Sequence, residues 1–149
     1  MGHFDSLVLE LQTRIRKLAA TESMLLLLDG DLGVGKTQLT KELLASFGYA
    51  PAEVQSPTFL KLIEHRVPRL GKVLHLDLYR LDEASELQKL DLEAYEDQKL
   101  IIIEWPALFE EYLKTSPGLL DLMGVSETVK ISITMDASAH REWKITSKV

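Results

Sequence analysis

The sequence predicts an α/β fold of the P-loop NTPase type, a mainly parallel sheet flanked by helices with a C-terminal antiparallel hairpin, and three observations predict it. The apolar run Met24 to Leu28 leads directly into Gly30-Asp31-Leu32-Gly33-Val34-Gly35-Lys36-Thr37, a G-x-x-x-x-G-K-[ST] loop placed where a buried strand would end. A second run, Leu100 to Ile103, closes on Glu104, and near-continuous apolar runs of this kind belong to strands covered on both faces of a parallel sheet. Two alternating segments, Thr128 to Thr134 and Arg141 to Thr146, read as the closing hairpin.

In chain order, Leu7, Leu11, Ile15 and Leu18 fall at helical spacing between about Ser6 and Ala20, with Arg14, Arg16 and Lys17 on the opposite face. The first strand and the glycine loop follow, then a helix opened by Thr37, periodic in Leu39, Leu43, Leu44 and Phe47 and stopped by Gly48. Gly48 to Pro51 is a turn, and Ser56-Pro57-Thr58-Phe59 is a loop because Pro57 excludes the helical region at Ser56. A strand is expected from about Thr58 to Glu64, a turn from Arg66 to Lys72, and an alternating strand from Val73 to Arg80. Ala84 to Leu90 and Leu92 to Tyr95 read as short helices. After the Glu104 strand, stopped by Pro106, Phe109 to Leu113 and Gly118 to Met123 are helical or irregular.

The glycine loop has a direct chemical meaning. Backbone N–H groups can ring a triphosphate only where Cβ atoms do not obstruct them, which accounts for Gly30, Gly33 and Gly35. Lys36 adds a point charge toward the β- and γ-phosphates. Thr37 sits at the positive end of its helix, where its hydroxyl can ligate Mg²⁺. The candidate nucleotide contacts are therefore Asp31, Leu32, Gly33, Val34, Gly35, Lys36 and Thr37, with Gln38 next along the helix. The competing interpretation is a glycine turn with an incidental Lys-Thr.

Ligands of open α/β sheets gather at the carboxyl ends of strands, so an acid at such an end is the natural second half of a P-loop site. Glu104 and Asp77 both qualify. Either would hold Mg²⁺, directly or through water, or orient the attacking water; the alternative for each is a solvated strand-end carboxylate. Thr58, in the proline-stiffened loop, is placed where a switch senses the γ-phosphate or is a plain turn residue. Trp105 adjoins Glu104 and either walls the site or is core. Arg80 stabilises phosphoryl charge, binds a partner or makes a surface ion pair. His65, His75 and His140 lack metal-ligand spacing and read as structural.

Composition narrows the class. Residues 1–149, 46% of them hydrophobic and undivided by any Pro/Gly/Ser-rich linker, are expected to form one domain with an adequate core. A net charge of −6 argues against a broad basic face, so any contact with nucleic acid should be indirect. The chain has no cysteine, which removes disulfides, thiolate metal sites and Cys nucleophiles. The longest apolar run is far too short to span a bilayer, and the expectation is a cytoplasmic protein without a membrane role.

Four segments together resemble a known family: Gly30 to Thr37, Ser56-Pro57-Thr58-Phe59, His75-Leu76-Asp77-Leu78-Tyr79-Arg80 and Ile103-Glu104-Trp105 stand in family order and at similar separations. The chain resembles the bacterial P-loop ATPases of tRNA threonylcarbamoyladenosine synthesis, the TsaE (YjeE) family, over roughly residues 4 to 146. The resemblance implies ATP and Mg²⁺ as ligands and, as partner, a TsaB–TsaD heterodimer that attaches a threonylcarbamoyl group beside the tRNA anticodon. By position it implies nucleotide and Mg²⁺ contacts at Gly33, Gly35, Lys36 and Thr37, a switch at Thr58, metal and catalytic acids at Asp77 and Glu104, and supporting roles for Trp105 and Arg80. Val34 replaces the usual Ala, and Gln38 stands where a second Thr is common; neither removes a phosphate donor. The adenine contacts are left unassigned, and alone the chain is expected to be a monomer or weak oligomer. Two other functions fit a P-loop: a small-molecule kinase, against which stands the lack of any Arg from residue 81 to 140, and a nucleotide-gated binding module, in which two acids would be superfluous.

Overall fold

Seven consecutive residues, Ser23–Asp29, form the central strand β1, and the first six are buried. That continuous burial requires cover on both faces, and the rest of the chain supplies it. The structure, a computed structural model, describes residues 4–31, 33–54 and 62–148. Around β1 they form α1 (Asp5–Arg16), α2 (Lys36–Ala45), β2 (Leu62–Val67), β3 (Gly71–Asp77), β4 (Gln98–Glu104), α3 (Ala107–Thr115), α4 (Leu119–Leu122), β5 (Val125–Met135) and β6 (Arg141–Lys148). Short 3-10 turns occupy Pro51–Glu53, Ala84–Leu90 and Leu92–Ala94.

The strands make one six-stranded sheet in the order β2-β3-β4-β1-β5-β6. Its four inner strands are parallel, and β2 and β6 are antiparallel edges. Because side chains alternate across a strand, Met24, Leu26 and Leu28 share one face with Leu100, Ile102 and Ile131, and there they meet α1 and α2. Leu25, Leu27, Ile101 and Ile103 point the other way, onto Phe109 and Tyr112 of α3 and Leu119 of α4. This is why the β1 and β4 sequences are apolar without alternation.

Helix boundaries follow local chemistry. Leu7, Leu11 and Ile15 of α1 are buried at spacings of four. Gly35, left-handed at φ +108°, caps the start of α2, so the helix begins at Lys36, one residue before the expected Thr37. Its regular part ends at Ala45; Gly48, at φ +90°, completes the exit as Tyr49 N–H returns to Leu44 O at 3.1 Å.

Three strand expectations are corrected. β3 stops at Asp77 rather than Arg80, because the Asp77 carboxylate accepts the Tyr79 N–H at 3.0 Å and turns the chain. The turn expected over Arg66 to Lys72 contracts to Pro68–Leu70: Val67 pairs with Gly71, which makes β2 and β3 an antiparallel hairpin. The first strand of the C-terminal hairpin runs from Val125, eleven residues long, and pairs in parallel with β1 as well as antiparallel with β6. Its inward residues Val129, Ile131 and Ile133 alternate with half-exposed ones, the pattern of a strand near an edge, whereas its upstream start shows only in the pairing.

Ile102 lies fully buried at the middle of β4 between β1 and β3. Ile102→Ala should therefore cost about 3 kcal/mol through lost burial plus a cavity, whereas Ile145→Ala on the half-buried edge strand β6 should cost less. Urea unfolding of both variants checks this; equal costs would contradict the placement of the core.

Candidate functional site

The strand order places β1 between β4 and β5, and the chain reaches them by crossovers on opposite faces: α2 on one, α3 and α4 on the other. A crevice therefore opens at the carboxyl end of β1, the position at which open α/β sheets bind ligands. The glycine loop occupies it. Gly30, Gly33 and Gly35 all have φ between +80° and +157°, at +156°, +81° and +108°. A Cβ at Gly30 would lie 2.7 Å from Ile133 O and 2.8 Å from Val34 Cγ2, so the loop can draw this close to the end of β5 only as glycine. A Cβ at Gly35 would press on the Phe4 ring at 3.2 Å and on Arg141 Nη1 at 3.3 Å.

The parallel register aligns the acids. Asp77 of β3 is directly opposite Glu104 of β4, which in turn is opposite Leu28 of β1. Asp77 belongs to the Val73-His75-Asp77 alternation and Glu104 to Leu100-Ile102-Glu104, so both carboxylates project onto the α2 side of the sheet. Both are buried, at 6% and 4% exposure, on a face that is otherwise largely apolar. The second oxygen of Glu104, Oε2, is 2.7 Å from His75 Nε2.

Lys36 completes the cluster. Its ammonium donates to Gly30 O and lies over the Trp105 ring, 3.9 Å from the centroid. Burial pulls its pKa below the ordinary lysine value, opposed by the charges of Glu104, Asp77, Asp29 and Asp31. Trp105 is held there by an unusual backbone: φ is +58°, a left-handed conformation that costs a bulky residue of order 1–3 kcal/mol. Its N–H still bonds Leu28 O at 3.2 Å, so the strand ladder is extended while the chain swings into α3. Tyr79 packs on the indole at 4.8 Å between centroids. A cleft of about 550 Å³ runs between Trp105, the glycine loop and Ser132 to Met135.

Of the residues expected from sequence, Gly33, Gly35, Lys36, Asp77, Glu104 and Trp105 converge here. Asp31 and Gly33 are exposed in the loop and line the cleft, and Thr37 is half-buried at the first turn of α2. Val34 points into the core rather than outward, so any ligand contact from it comes through its backbone. Gln38 is exposed, and its amide donates to Glu42 at 3.3 Å. Leu32 and Thr58, with the whole Ser56 to Phe59 segment, lie outside the described residues. Arg80 is exposed in the turn after β3.

Two residues at the site were not foreseen. His75, read from sequence as structural, contacts Glu104; its position two residues before Asp77 on an alternating strand was the available signal, since i and i+2 share a face. Arg141, one residue beyond the Arg-free stretch 81 to 140, is brought to Gly35 by β6 crossing beside β5, a long-range pairing that no local pattern announces.

A family profile described as "Threonylcarbamoyl adenosine biosynthesis protein TsaE" matches residues 6–143. Among curated proteins, the tRNA threonylcarbamoyladenosine biosynthesis protein TsaE of Rickettsia bellii is 37% identical over 91 residues, 61% of this chain and 62% of that protein. The protein of the same name from Bacillus subtilis is 40% identical over 88 residues, 59% of this chain and 54% of that one. The matched chain thus spans somewhat less than two-thirds of these relatives' length. Among solved structures, the crystal structure of YdiB from Bacillus subtilis superposes with a TM-score of 0.54 at 26% identity, covering 94% of this chain and 80% of the other. With the family profile matching nearly the whole chain and the glycine loop, paired acids and tryptophan gathered at one end of the sheet, this chain belongs to the TsaE family of tRNA threonylcarbamoyladenosine biosynthesis.

Proposed function

We propose that this chain binds Mg-ATP on the glycine loop and hydrolyses it in the service of a TsaB–TsaD heterodimer that modifies tRNA in the cytoplasm. The observation that carries the proposal is the alignment of Asp77 and Glu104, buried side by side at strand ends on the face of the P-loop helix and electrostatically coupled to Lys36. A module that only bound nucleotide would need neither two buried acids nor their desolvation, which costs several kcal/mol per ion.

The donor set suits the ligands. Loop N–H groups freed of Cβ atoms and the start of α2 match a chain of phosphates, and a hydroxyl with carboxylates is the hard oxygen set that Mg²⁺ prefers. Among the described residues no three His, Asp or Glu gather closely enough to hold a metal by themselves, so protein ligands would act together with phosphate oxygens. Thr37, Asp77 and Glu104 are the residues that would hold it, and when bound the ion neutralises charge on the phosphate oxygens. Lys36 leaves Gly30 O and the indole for the phosphates. Glu104 accepts from and orients water. Trp105, backed by Tyr79, walls one side of the cleft.

The decisive experiment is phosphate release by the purified chain and its variants. Lys36→Ala should lower hydrolysis by about 10³-fold or more and should also lower thermal stability, because buried Asp77 and Glu104 lose their neighbouring cation. Glu104→Gln should keep Mg-ATP binding and lose turnover, because the amide preserves shape without charge. Wild-type rates in both would sink the proposal.

Nucleotide entry should be visible in Trp105, whose ring now covers Lys36. In a Trp143→Phe background, saturating Mg-ATP is expected to change indole emission as the cation leaves the ring; an unchanged spectrum would mean that Lys36 stays where it is.

With the TsaB–TsaD pair of its own organism, the chain should hydrolyse ATP faster than alone and bind more tightly in the ATP state than the ADP state. Linkage requires the pair to tighten ATP binding by the same factor. Equal affinity with ATP, ADP and no nucleotide, together with an unstimulated rate, would remove the partner from the proposal.

A further inference from the structure

His75 is a polar side chain in a place built for an apolar one. It sits mid-strand on β3, opposite Ile63 of β2 and Ile102 of β4, with no exposed surface. Burying an imidazole there brings unfavourable desolvation, and only one ring nitrogen is compensated. Nε2 meets Glu104 Oε2 at 2.7 Å, whereas Nδ1 is buried without a hydrogen-bond partner among the described residues. A carboxylate oxygen accepts, so the hydrogen of this contact is carried by Nε2, which donates to Glu104 Oε2. The neighbouring His65 ring, 6.1 Å away by centroids, is tied to Tyr49 Oη at 3.0 Å through its own Nδ1.

We propose that His75 is a positioning residue for Glu104: its Nε2–H fixes Oε2, holds the carboxylate in one rotamer and leaves Oε1 as the oxygen available to metal or water. The role rests on the ATPase reading given above. A glutamate has three side-chain torsions, and a carboxylate free to rotate would offer its oxygens in many directions; misplacement by about 1 Å can cost as much as 10²-fold in rate. Partners that orient a functional carboxylate or imidazole in this way are worth about 10- to 100-fold when removed. Leu, Ile or Val at residue 75 would pack better against Ile63 and Ile102, and would leave Glu104 buried and unoriented.

The test compares two amides. In His75→Gln the side-chain NH₂ reaches the region of Nε2 and can still donate to Glu104; in His75→Asn the shorter amide ends near Nδ1 and cannot. Both bury one primary amide at residue 75 and differ by one methylene of reach, and thermal melting reads the packing cost of that difference separately from the rate. Single-turnover hydrolysis of Mg-ATP, Mg-ATP affinity and thermal melting are measured for each. The expected result is a loss of 10-fold or more in the His75→Asn rate with affinity within about 3-fold of the parent, and a His75→Gln rate within about 3-fold of the parent. If His75→Asn does not fold, His75→Met, of similar length and without a donor, takes its place. Parental rates in the variant without a donor, or equal losses in the Gln variant and that variant, would overturn the positioning role alone. A parent chain that binds Mg-ATP but hydrolyses none, with or without TsaB–TsaD, would overturn the ATPase reading and this role with it.

Discussion

The parallel register of β3, β4 and β1 sets Asp77, Glu104 and Leu28 in a single row across the sheet, and the site depends on that row. A slip of one residue in either pairing would turn a carboxylate onto the α3 face, where Leu76, Ile103 and Phe109 form a dry core. The register is protected by the runs themselves: Leu25 to Leu28 and Leu100 to Ile103 bury on both faces, so any slip also displaces apolar side chains from their fitted neighbours. The most hydrophobic part of the chain is thus what holds its most polar cluster in place.

That cluster is balanced by contacts from several elements. Glu104 is met by His75 from β3 and feels Lys36 from α2; Asp77 caps the turn at Tyr79 and feels the same lysine. Lys36 O in turn receives the hydroxyl of buried Thr40 at 3.1 Å, one helical turn on. Burial of two carboxylates and an ammonium would be unfavourable group by group, and it becomes tolerable because each is hydrogen-bonded and the charges partly cancel. The buried charges of this face, Lys36, Asp77 and Glu104, accordingly lie at strand ends and at a helix start, whereas Leu7, Leu11 and Ile15 of α1 pack on apolar neighbours.

What could be read from the sequence divides along physical lines. The glycine loop and the strand before it are local: φ requirements at Gly33 and Gly35 and a continuous apolar run are written in adjacent residues, and both elements stand where expected. Glu104 and Asp77 could be nominated because an acid after an apolar run is also a local pattern. Their alignment with each other could not, since it depends on which strands pair and in what register. The same limit hid Arg141, carried to Gly35 by a strand more than a hundred residues away, and the parallel half of β5, whose alternation looks like any hairpin strand. The end of β3 was missed for another reason: Val73 to Arg80 alternates well, but the Asp77 carboxylate competes for the Tyr79 amide and ends the ladder early.

The state of Lys36 bears on how the loop meets an anion. With its ammonium on Gly30 O and over the Trp105 ring, the side chain is already folded back along the loop. Roughly 2 kcal/mol of rotamer freedom is therefore lost on folding rather than on binding. The contacts holding it are a neutral carbonyl and an aromatic face, the latter worth up to about 2 kcal/mol when desolvated, whereas a phosphate oxygen offers a charge-assisted bond of about 1.5–3 kcal/mol in the same dry surroundings. Under the proposed function, an incoming phosphate would replace weaker partners with a stronger one and would meet a cation that need only shift, not be gathered from solvent. The left-handed backbone at Trp105 is what puts the indole in reach, so its strain has a counterpart in the preorganised lysine. A residue that relaxed this turn would gain local stability but take the ring from Lys36 and leave its ammonium on Gly30 O alone, which is a physical reason for a bulky aromatic to sit in a conformation better suited to glycine.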